Sequence, residues 1–129
     1  MKPTEAEITK EFTFDAAHYL ALHDGKCQHM HGHTYRVAVT FFGEVQKMDG
    51  GPESGMVRDF YHISKFWKER LEPMLDHKLL NESLPIYPSA EHLAKWIYDQ
   101  FADTFLEIHK VEVWETPTSR VTYGPVEVA

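Results

Sequence analysis

The chain has 129 residues, the length of one ordinary domain, and its 43% hydrophobic and 26% charged residues are typical of a globular protein. A formal net charge of −7 argues against nucleic-acid binding, which needs a basic surface, and no apolar run is long enough to cross a membrane. We expect a single domain over residues 1–129 in the cytoplasm, since the N-terminus is polar and one cysteine excludes an internal disulfide.

The N-terminal half reads as two strands. Residues 8–18 and 33–45 both alternate with the period of a strand that has one buried face. Along one face lie Phe12, Phe14, Ala16 and His18 in the first segment, and Tyr35, Val37, Val39 and Phe41 in the second. Residues 22–26 form a polar connection between them. The segment 47–55 follows the second strand and is rich in glycine, proline and aspartate, which indicates turns.

Two amphipathic helices are predicted next. Asp59 is a candidate N-cap for a helix that ends near Leu75, because the apolar residues after it recur at helical spacing. Residues 81–88 read as a loop with two prolines. Ser89 is a candidate N-cap for the second helix, with Glu91 favourable in its first turn.

Two strands near the C-terminus complete the predicted fold, one over residues 111–115 and one over 120–123. The order strand–strand–helix–helix–strand–strand predicts an α+β fold, with a four-stranded antiparallel sheet and both helices on one face. Such a small sheet has exposed edge strands, and these favour association between copies of the chain.

The sharpest local motif is His31-Gly32-His33. Residues i and i+2 of a strand point to the same face, so two imidazoles can reach one metal ion, and Gly32 would allow close approach to the backbone. His18 lies on the core face of the first strand, and pairing of the two strands would bring it near both. Three histidines with one open coordination position are typical of catalytic zinc, so we expect Zn²⁺ here.

Candidate catalytic groups accompany this site. Cys27 lies in a polar loop four residues before His31, where a thiolate beside a metal could act in catalysis; a lone cysteine is otherwise commonly a small buried residue. Asp76-His77 follows the first helix and is either a surface pair or a proton-transferring pair. Glu115 shares a face with apolar strand residues, which is costly without a partner, so it is a candidate for ligand binding.

The other histidines have no comparable support from the pattern. We interpret them as ordinary surface or structural residues: His23, His29, His62, His92 and His109.

The chain resembles the 6-pyruvoyltetrahydropterin synthase / 6-carboxytetrahydropterin synthase family. The matching segments run in family order along nearly the whole chain, and together they are highly specific. They are FTFDAAH (12–18), CQHMHGH (27–33), LDHKLLN (75–81), PSAE (88–91) and WET (114–116).

This resemblance implies the tunnelling fold, in which three subunits join their sheets into a barrel and two trimers stack into a hexamer with active sites at subunit interfaces. The Cys-x-x-x-His-Gly-His spacing resembles that of the carboxytetrahydropterin-forming members, which serve queuosine biosynthesis. It implies conversion of 7,8-dihydroneopterin triphosphate to 6-carboxy-5,6,7,8-tetrahydropterin, with release of acetaldehyde and triphosphate.

The resemblance also implies roles for single residues. Cys27 would accept a proton, His77 oriented by Asp76 would shuttle protons, and Glu115 would anchor the pterin ring. Ser89 offers a hydroxyl to the substrate, whereas Ala90 stands where many relatives have a hydroxyl residue. The triphosphate needs positive charge, for which the sequence offers three candidates. They are Lys26, Arg58 and Arg120.

Two alternative functions stay open. A pyruvoyl-forming synthase that eliminates triphosphate would use the same fold, metal and acid–base groups. A non-catalytic zinc- or pterin-binding protein would hold the metal for structural reasons. Cys27, Asp76-His77 and Glu115 weigh against this second alternative, because a structural site has no use for them.

Overall fold

A computed structural model describes residues 4–125. Residues 1–3 and 126–129 of the expected domain lie outside the described residues. Within residues 4–125, no helix is both long and apolar enough to cross a membrane.

The centre of the fold is one five-stranded sheet, in the order β3-β1-β2-β4-β5. Its long strands pair antiparallel, whereas β3 pairs parallel with the end of β1. The sequence predicted four antiparallel strands, and β3 is the strand that it missed. Two residues are too short to give a periodic pattern. The strands are β1 (Glu5–His18), β2 (His31–Glu44), β3 (Lys78–Leu79), β4 (Ile108–Thr116) and β5 (Ser119–Tyr123).

The first predicted helix is present, but it is not uniform. It runs from Phe60 to Leu75 through a π-helical turn that ends one residue before Glu72-Pro73. Proline has no N–H to donate and its ring crowds the preceding turn, which gives a reason for the wider turn there. The successive segments are α1 (Phe60–Phe66), the π-helical turn (Trp67–Leu71) and α2 (Glu72–Leu75).

Both predicted helix caps are confirmed. Asp59 accepts a hydrogen bond from the Tyr61 N–H at 2.9 Å, and Ser89 accepts one from the His92 N–H at 3.2 Å. The segment predicted to be a loop contains a further short helix, so that interpretation was wrong for its first residues. Two more helices therefore follow β3: α3 (Leu80–Ser83) and α4 (Ala90–Ala102).

The core lies between one face of the sheet and the helices, as expected. Inward side chains of β1, β2 and β4 are buried against apolar residues of α1, the π-helical turn and α4. Phe12 of β1 stacks on Trp67 with ring centroids 4.4 Å apart. Along β2 every second residue from Tyr35 to Phe41 belongs to this core, while Ala38 and Thr40 between them are buried as well. His33 continues that alternation at the start of the strand, so it lies on the face that carries the core.

Candidate active site

Strand register brings the three predicted metal ligands together. His18, the last residue of β1, pairs directly with His31, the first residue of β2, and His33 follows two residues later on the same face. The ligand nitrogens of the three rings all lie within 4.8 Å of one another. His18 is fully buried, while His31 and His33 are half-buried. The cluster thus has one closed side and one side open to solvent.

Backbone carbonyls set the orientation of two of these rings. His18 Nδ1 lies 2.7 Å from the Pro88 carbonyl oxygen, and His31 Nδ1 lies 2.8 Å from that of His29. A carbonyl oxygen can only accept, so each Nδ1 carries the hydrogen. In neutral rings both Nε2 atoms then present lone pairs, and they face each other at 3.0 Å. Two lone pairs at this distance need a cation between them.

His33 supplies the third nitrogen. Its Nε2 is buried and has no hydrogen-bond partner in the part of the chain that the structure describes, although Glu115 Oε2 lies 3.3 Å away. Burial lowers the pKa of His33; Glu115 opposes this effect, and His18 and His31 add to it. A lowered pKa keeps the ring neutral, which is the form that binds a metal.

These observations fit a divalent metal ion. Zinc–nitrogen bonds are about 2.0–2.1 Å long, so nitrogens around one zinc ion lie about 3.3 Å apart. The hydrogen bonds from Nδ1 to backbone carbonyls are also the usual means of orienting histidine ligands. The three-histidine cluster predicted from sequence is therefore present in a form that could hold Zn²⁺. The sequence suggested that Gly32 allows another group to approach the backbone closely. Within this chain no group does so, because a Cβ on Gly32 would meet only the Ala16 carbonyl oxygen, at an ordinary 3.6 Å.

Cys27 lies in a short 3₁₀ turn, Lys26–Gln28, between β1 and β2. Its carbonyl oxygen accepts a hydrogen bond from the Leu20 N–H at 2.8 Å, which ties the turn to the end of β1. The thiol is free and half-buried. It borders a cleft of about 470 Å³ together with His31 and His33. The structure thus places Cys27 along a cleft that two of the candidate metal ligands also line.

Asp76 and His77 lie at the open edge of β1. His77 Nδ1 is 2.9 Å from Asp76 Oδ2, and the His77 N–H donates to the Asp15 carbonyl oxygen at 2.6 Å. The Asp76 carboxylate raises the pKa of His77, by hydrogen bonding and then by charge. Hydrogen bonding lowers the pKa of Asp76, first from the Asp15 N–H and then from His77. His77 borders a second cleft, of about 640 Å³, that His33 also lines.

Glu115 occupies a third cleft, of about 480 Å³, with Trp114 and Arg36. Its position on β4 continues the buried positions Val111 and Val113, as the sequence predicted. His33 borders this cleft too. His33, a candidate metal ligand, therefore lines all three clefts. One cleft holds Cys27, one holds His77 and one holds Glu115.

The remaining candidates for substrate binding are spread over different parts of the fold. The Ser89 hydroxyl is used as the cap of α4, directly after the Pro88 carbonyl that orients His18. The Arg58 guanidinium binds both Glu107 carboxylate oxygens, at 3.0 and 2.9 Å, and borders a different cleft. Lys26 borders the Cys27 cleft. Arg120 lies 3.4 Å from Glu112, over the Trp114 ring. Lys26 is therefore the cationic candidate that shares a described cleft with His31 and His33.

Sequence reasoning missed several groups that build this site. The carbonyls of Pro88 and His29 orient metal-ligand candidates, but a backbone carbonyl leaves no signal in residue type. Tyr35 is fully buried beside His33, with ring centroids 5.4 Å apart. Its hydroxyl has no hydrogen-bond partner among residues 4–125, and burial raises its pKa, with a smaller contribution from Glu115. The strand alternation did place Tyr35 on one face of β2 with Val37, Val39 and Phe41.

The fold and the cluster define a small α+β protein with a candidate catalytic metal centre at one end of its sheet. Residues 7–125 match the family described as 6-pyruvoyl tetrahydropterin synthase, and the chain belongs to this family.

Named relatives cover almost the whole chain. A Synechocystis protein named 6-carboxy-5,6,7,8-tetrahydropterin synthase is 40% identical, over 90% of this chain and 91% of its own. A Haemophilus influenzae protein of the same name is 33% identical, over 91% and 97%. The structure of Caenorhabditis elegans 6-pyruvoyl tetrahydropterin synthase has a TM-score of 0.80 at 27% identity, covering 95% of this chain and 96% of that one. The expected tunnelling fold is confirmed.

Proposed function

We propose that this protein converts 7,8-dihydroneopterin triphosphate to 6-carboxy-5,6,7,8-tetrahydropterin, with release of acetaldehyde and triphosphate, a step of queuosine biosynthesis. The observation that carries the proposal is the position of His33, where the clefts of Cys27, His77 and Glu115 meet. A metal centre bordered by a thiol, an imidazole and a carboxylate suits proton transfer on a bound substrate. The names of two relatives support the carboxylated product.

His18, His31 and His33 would hold Zn²⁺, which supplies Lewis acidity toward the hydroxyls of the substrate side chain when it is bound. The carbonyls that fix the Nδ1 hydrogens keep the ligand nitrogens aimed at one point. The open side of the cluster leaves room for a substrate oxygen.

The acid–base groups of the chain then have separate roles. Cys27 accepts a proton from the substrate side chain, and His77, held by Asp76, moves protons on the other side of His33. Glu115 accepts hydrogen bonds from the N–H groups of the pterin ring, a charge-assisted contact. Ser89 offers its hydroxyl to the same ring, and Lys26 together with Arg120 supplies positive charge for the triphosphate. Each positioned acid–base group contributes about 10²–10⁴-fold in rate.

We propose that the working form is a cytoplasmic hexamer, a dimer of trimers. The edges of the sheet support association: β3 covers only Ala16 and Ala17 of β1 among the described residues, and β5 forms the opposite edge. Unpaired backbone groups of an edge strand are a ready surface for another copy. Light scattering coupled to gel filtration measures the number of subunits directly.

Product analysis tests the proposed reaction. The zinc-loaded protein is incubated with 7,8-dihydroneopterin triphosphate, and the products are identified by mass spectrometry and an acetaldehyde assay. We expect 6-carboxytetrahydropterin and acetaldehyde in equal amounts. A pyruvoyl product without acetaldehyde would instead establish the pyruvoyl-forming alternative.

A non-catalytic binding protein makes different predictions. It would release neither acetaldehyde nor triphosphate, and Cys27→Ala would change nothing measurable. Chelation would also unfold it, since structural zinc contributes directly to folding. A catalytic centre should lose turnover on chelation while its far-UV circular dichroism is retained.

A further inference from the structure

Asp15 holds the Asp76-His77 pair through its backbone on both sides. Its N–H donates to Asp76 Oδ1 at 3.0 Å, and its carbonyl oxygen accepts from the His77 N–H at 2.6 Å. Both groups point away from β2, to the edge where β3 joins β1. The pairing of β3 with Ala16 and Ala17 therefore follows directly after the hydrogen bonds of Asp15. The acid–base pair is thereby attached to the sheet at this residue.

The conformation of His77 needs such an attachment. Its φ of 58° makes it the one non-glycine residue with positive φ in residues 4–125. A non-glycine side chain in this region is strained and persists only where the surroundings enforce it. The Asp15 carbonyl and the Asp76 carboxylate are the groups that hold His77 from its two sides.

The Asp15 side chain reaches the same place. Its carboxylate, the Asp76 carboxylate and the His77 ring offer atoms that all lie within 4.8 Å of one another. Thr34, directly opposite Asp15 in the strand pair, donates its hydroxyl to Asp15 Oδ1 at 2.5 Å. This bond restricts the rotamer of Asp15, so the carboxylate stays beside the imidazole.

The charges around His77 come from several elements. Asp76 precedes it, Asp15 faces it from β1, and Lys78 and His33 of β2 border the same cleft. Both carboxylates favour the protonated ring and raise the pKa of His77, Asp76 more than Asp15. The Asp15 carboxylate is therefore within electrostatic reach of the imidazole as well as bonded to its backbone.

We propose that Asp15, held by Thr34, is a positioning residue that aligns the Asp76-His77 pair and stabilises its protonated form during proton transfer. The inference rests on the proposed function. Because Asp15 acts through the pair, we expect its carboxylate to affect the rate of the proton step and not substrate binding.

Asp15→Asn tests the role of the carboxylate, because it preserves the backbone contacts and the side-chain volume. We expect the His77 ring signals, followed by NMR with labelled histidine, to titrate at lower pH than in the unchanged protein. We expect kcat to fall about tenfold, a fraction of what the whole acid–base group contributes, while KM changes less than about twofold. Zinc content should not change.

Thr34 provides a second, graded test. Thr34→Val removes the hydroxyl and should shift the His77 titration in the same direction by a smaller amount, whereas Thr34→Ser keeps the hydroxyl and should restore it. Glu7→Gln removes an exposed carboxylate from the same face of β1 and serves as the matched control. It should leave both the titration and kcat unchanged.

Unchanged His77 titration and kcat in a folded Asp15→Asn protein would overturn the proposal. Equal responses of Asp15→Asn and Glu7→Gln would overturn it too, since they would reflect surface charge alone. The NMR titration needs no turnover. If the proposed reaction is wrong, no variant forms the product but the His77 titration still responds to Asp15, so the two failures are distinguishable.

Discussion

His18 Nε2 and His31 Nε2 face each other at 3.0 Å, while the Nδ1 atom of each ring is bonded to a backbone carbonyl oxygen. In neutral rings this arrangement directs two lone pairs toward one point. The contact is favourable only with a cation or an added proton, and a metal ion serves all three histidines at once. The direction of the carbonyls, more than the choice of three histidines, makes the cluster a candidate metal centre.

Loss of one ligand should therefore remove the metal and leave the fold. We expect the unchanged protein to bind one zinc ion per chain and His31→Ala to bind it more than about 100-fold more weakly, a larger loss than removal of an outer-shell partner causes. Elemental analysis and competition with a chromogenic chelator measure this. His62→Ala, at a half-exposed histidine beside Glu53, is the control and should keep full zinc binding. Equal binding by both variants would contradict the three-histidine centre.

Removal of the Asp76 carboxylate should change the titration of His77. Because Asp76 raises the pKa of His77 above 6.5, Asp76→Asn should lower the pH at which the ring titrates. The pair contributes stability that is fully present below pH 6.5 and is lost as the pH rises through the folded-state pKa of His77. NMR titration and unfolding at several pH values measure both effects. Asp99→Asn, whose partner is Lys95, should leave the His77 titration unchanged.

Cys27→Ala separates catalysis from metal binding. The thiol borders the cleft of His31 and His33, but three histidines already provide the ligands of an open site. We expect zinc content to be retained and kcat to fall about 10²–10⁴-fold. Steady-state kinetics and elemental analysis on the same preparation test this. Loss of zinc together with activity would instead make Cys27 a ligand.

Tyr35→Phe should not destabilise the protein. The Tyr35 hydroxyl is buried without a hydrogen-bond partner among the described residues, so its removal leaves no polar group newly unsatisfied. We expect the free energy of unfolding to stay the same or to rise by up to about 1 kcal/mol. Tyr35→Ala should lower it by about 3–5 kcal/mol, because the ring fills the core between Phe14 and His33. Urea denaturation distinguishes these outcomes. A clear loss of stability in Tyr35→Phe would show that the hydroxyl has a partner.

The elements of the fold that have a local sequence pattern were predictable. Alternation in β1 and β2, the helical spacing after Asp59 and the cap at Ser89 are local signals, because each depends on neighbouring residues in the sequence. β3 and the π-helical turn were not predicted. The first is too short to show a period, and the second lies within a helical pattern of the usual spacing.

For the site, residue types and strand parity predicted which side chains belong together. His18, His31 and His33 share a face by counting along two strands, and Glu115 does so along a third. Counting could not place Asp76-His77 on the edge of β1, because that position depends on a parallel pairing between residues about 60 positions apart. Nor could it show that Arg58 is occupied by Glu107.

The sequence by itself thus determined the α+β class, the paired strands and the candidates for the metal ligands and the acid–base residues. These follow from periodicity and from the chemistry of side chains. Only the tertiary structure decided how those residues are oriented: the Pro88 and His29 carbonyls that set the imidazole tautomers, and the contact of Asp15 with His77. Backbone carbonyls are the same in every residue, so the geometry they impose exists only once the chain has folded.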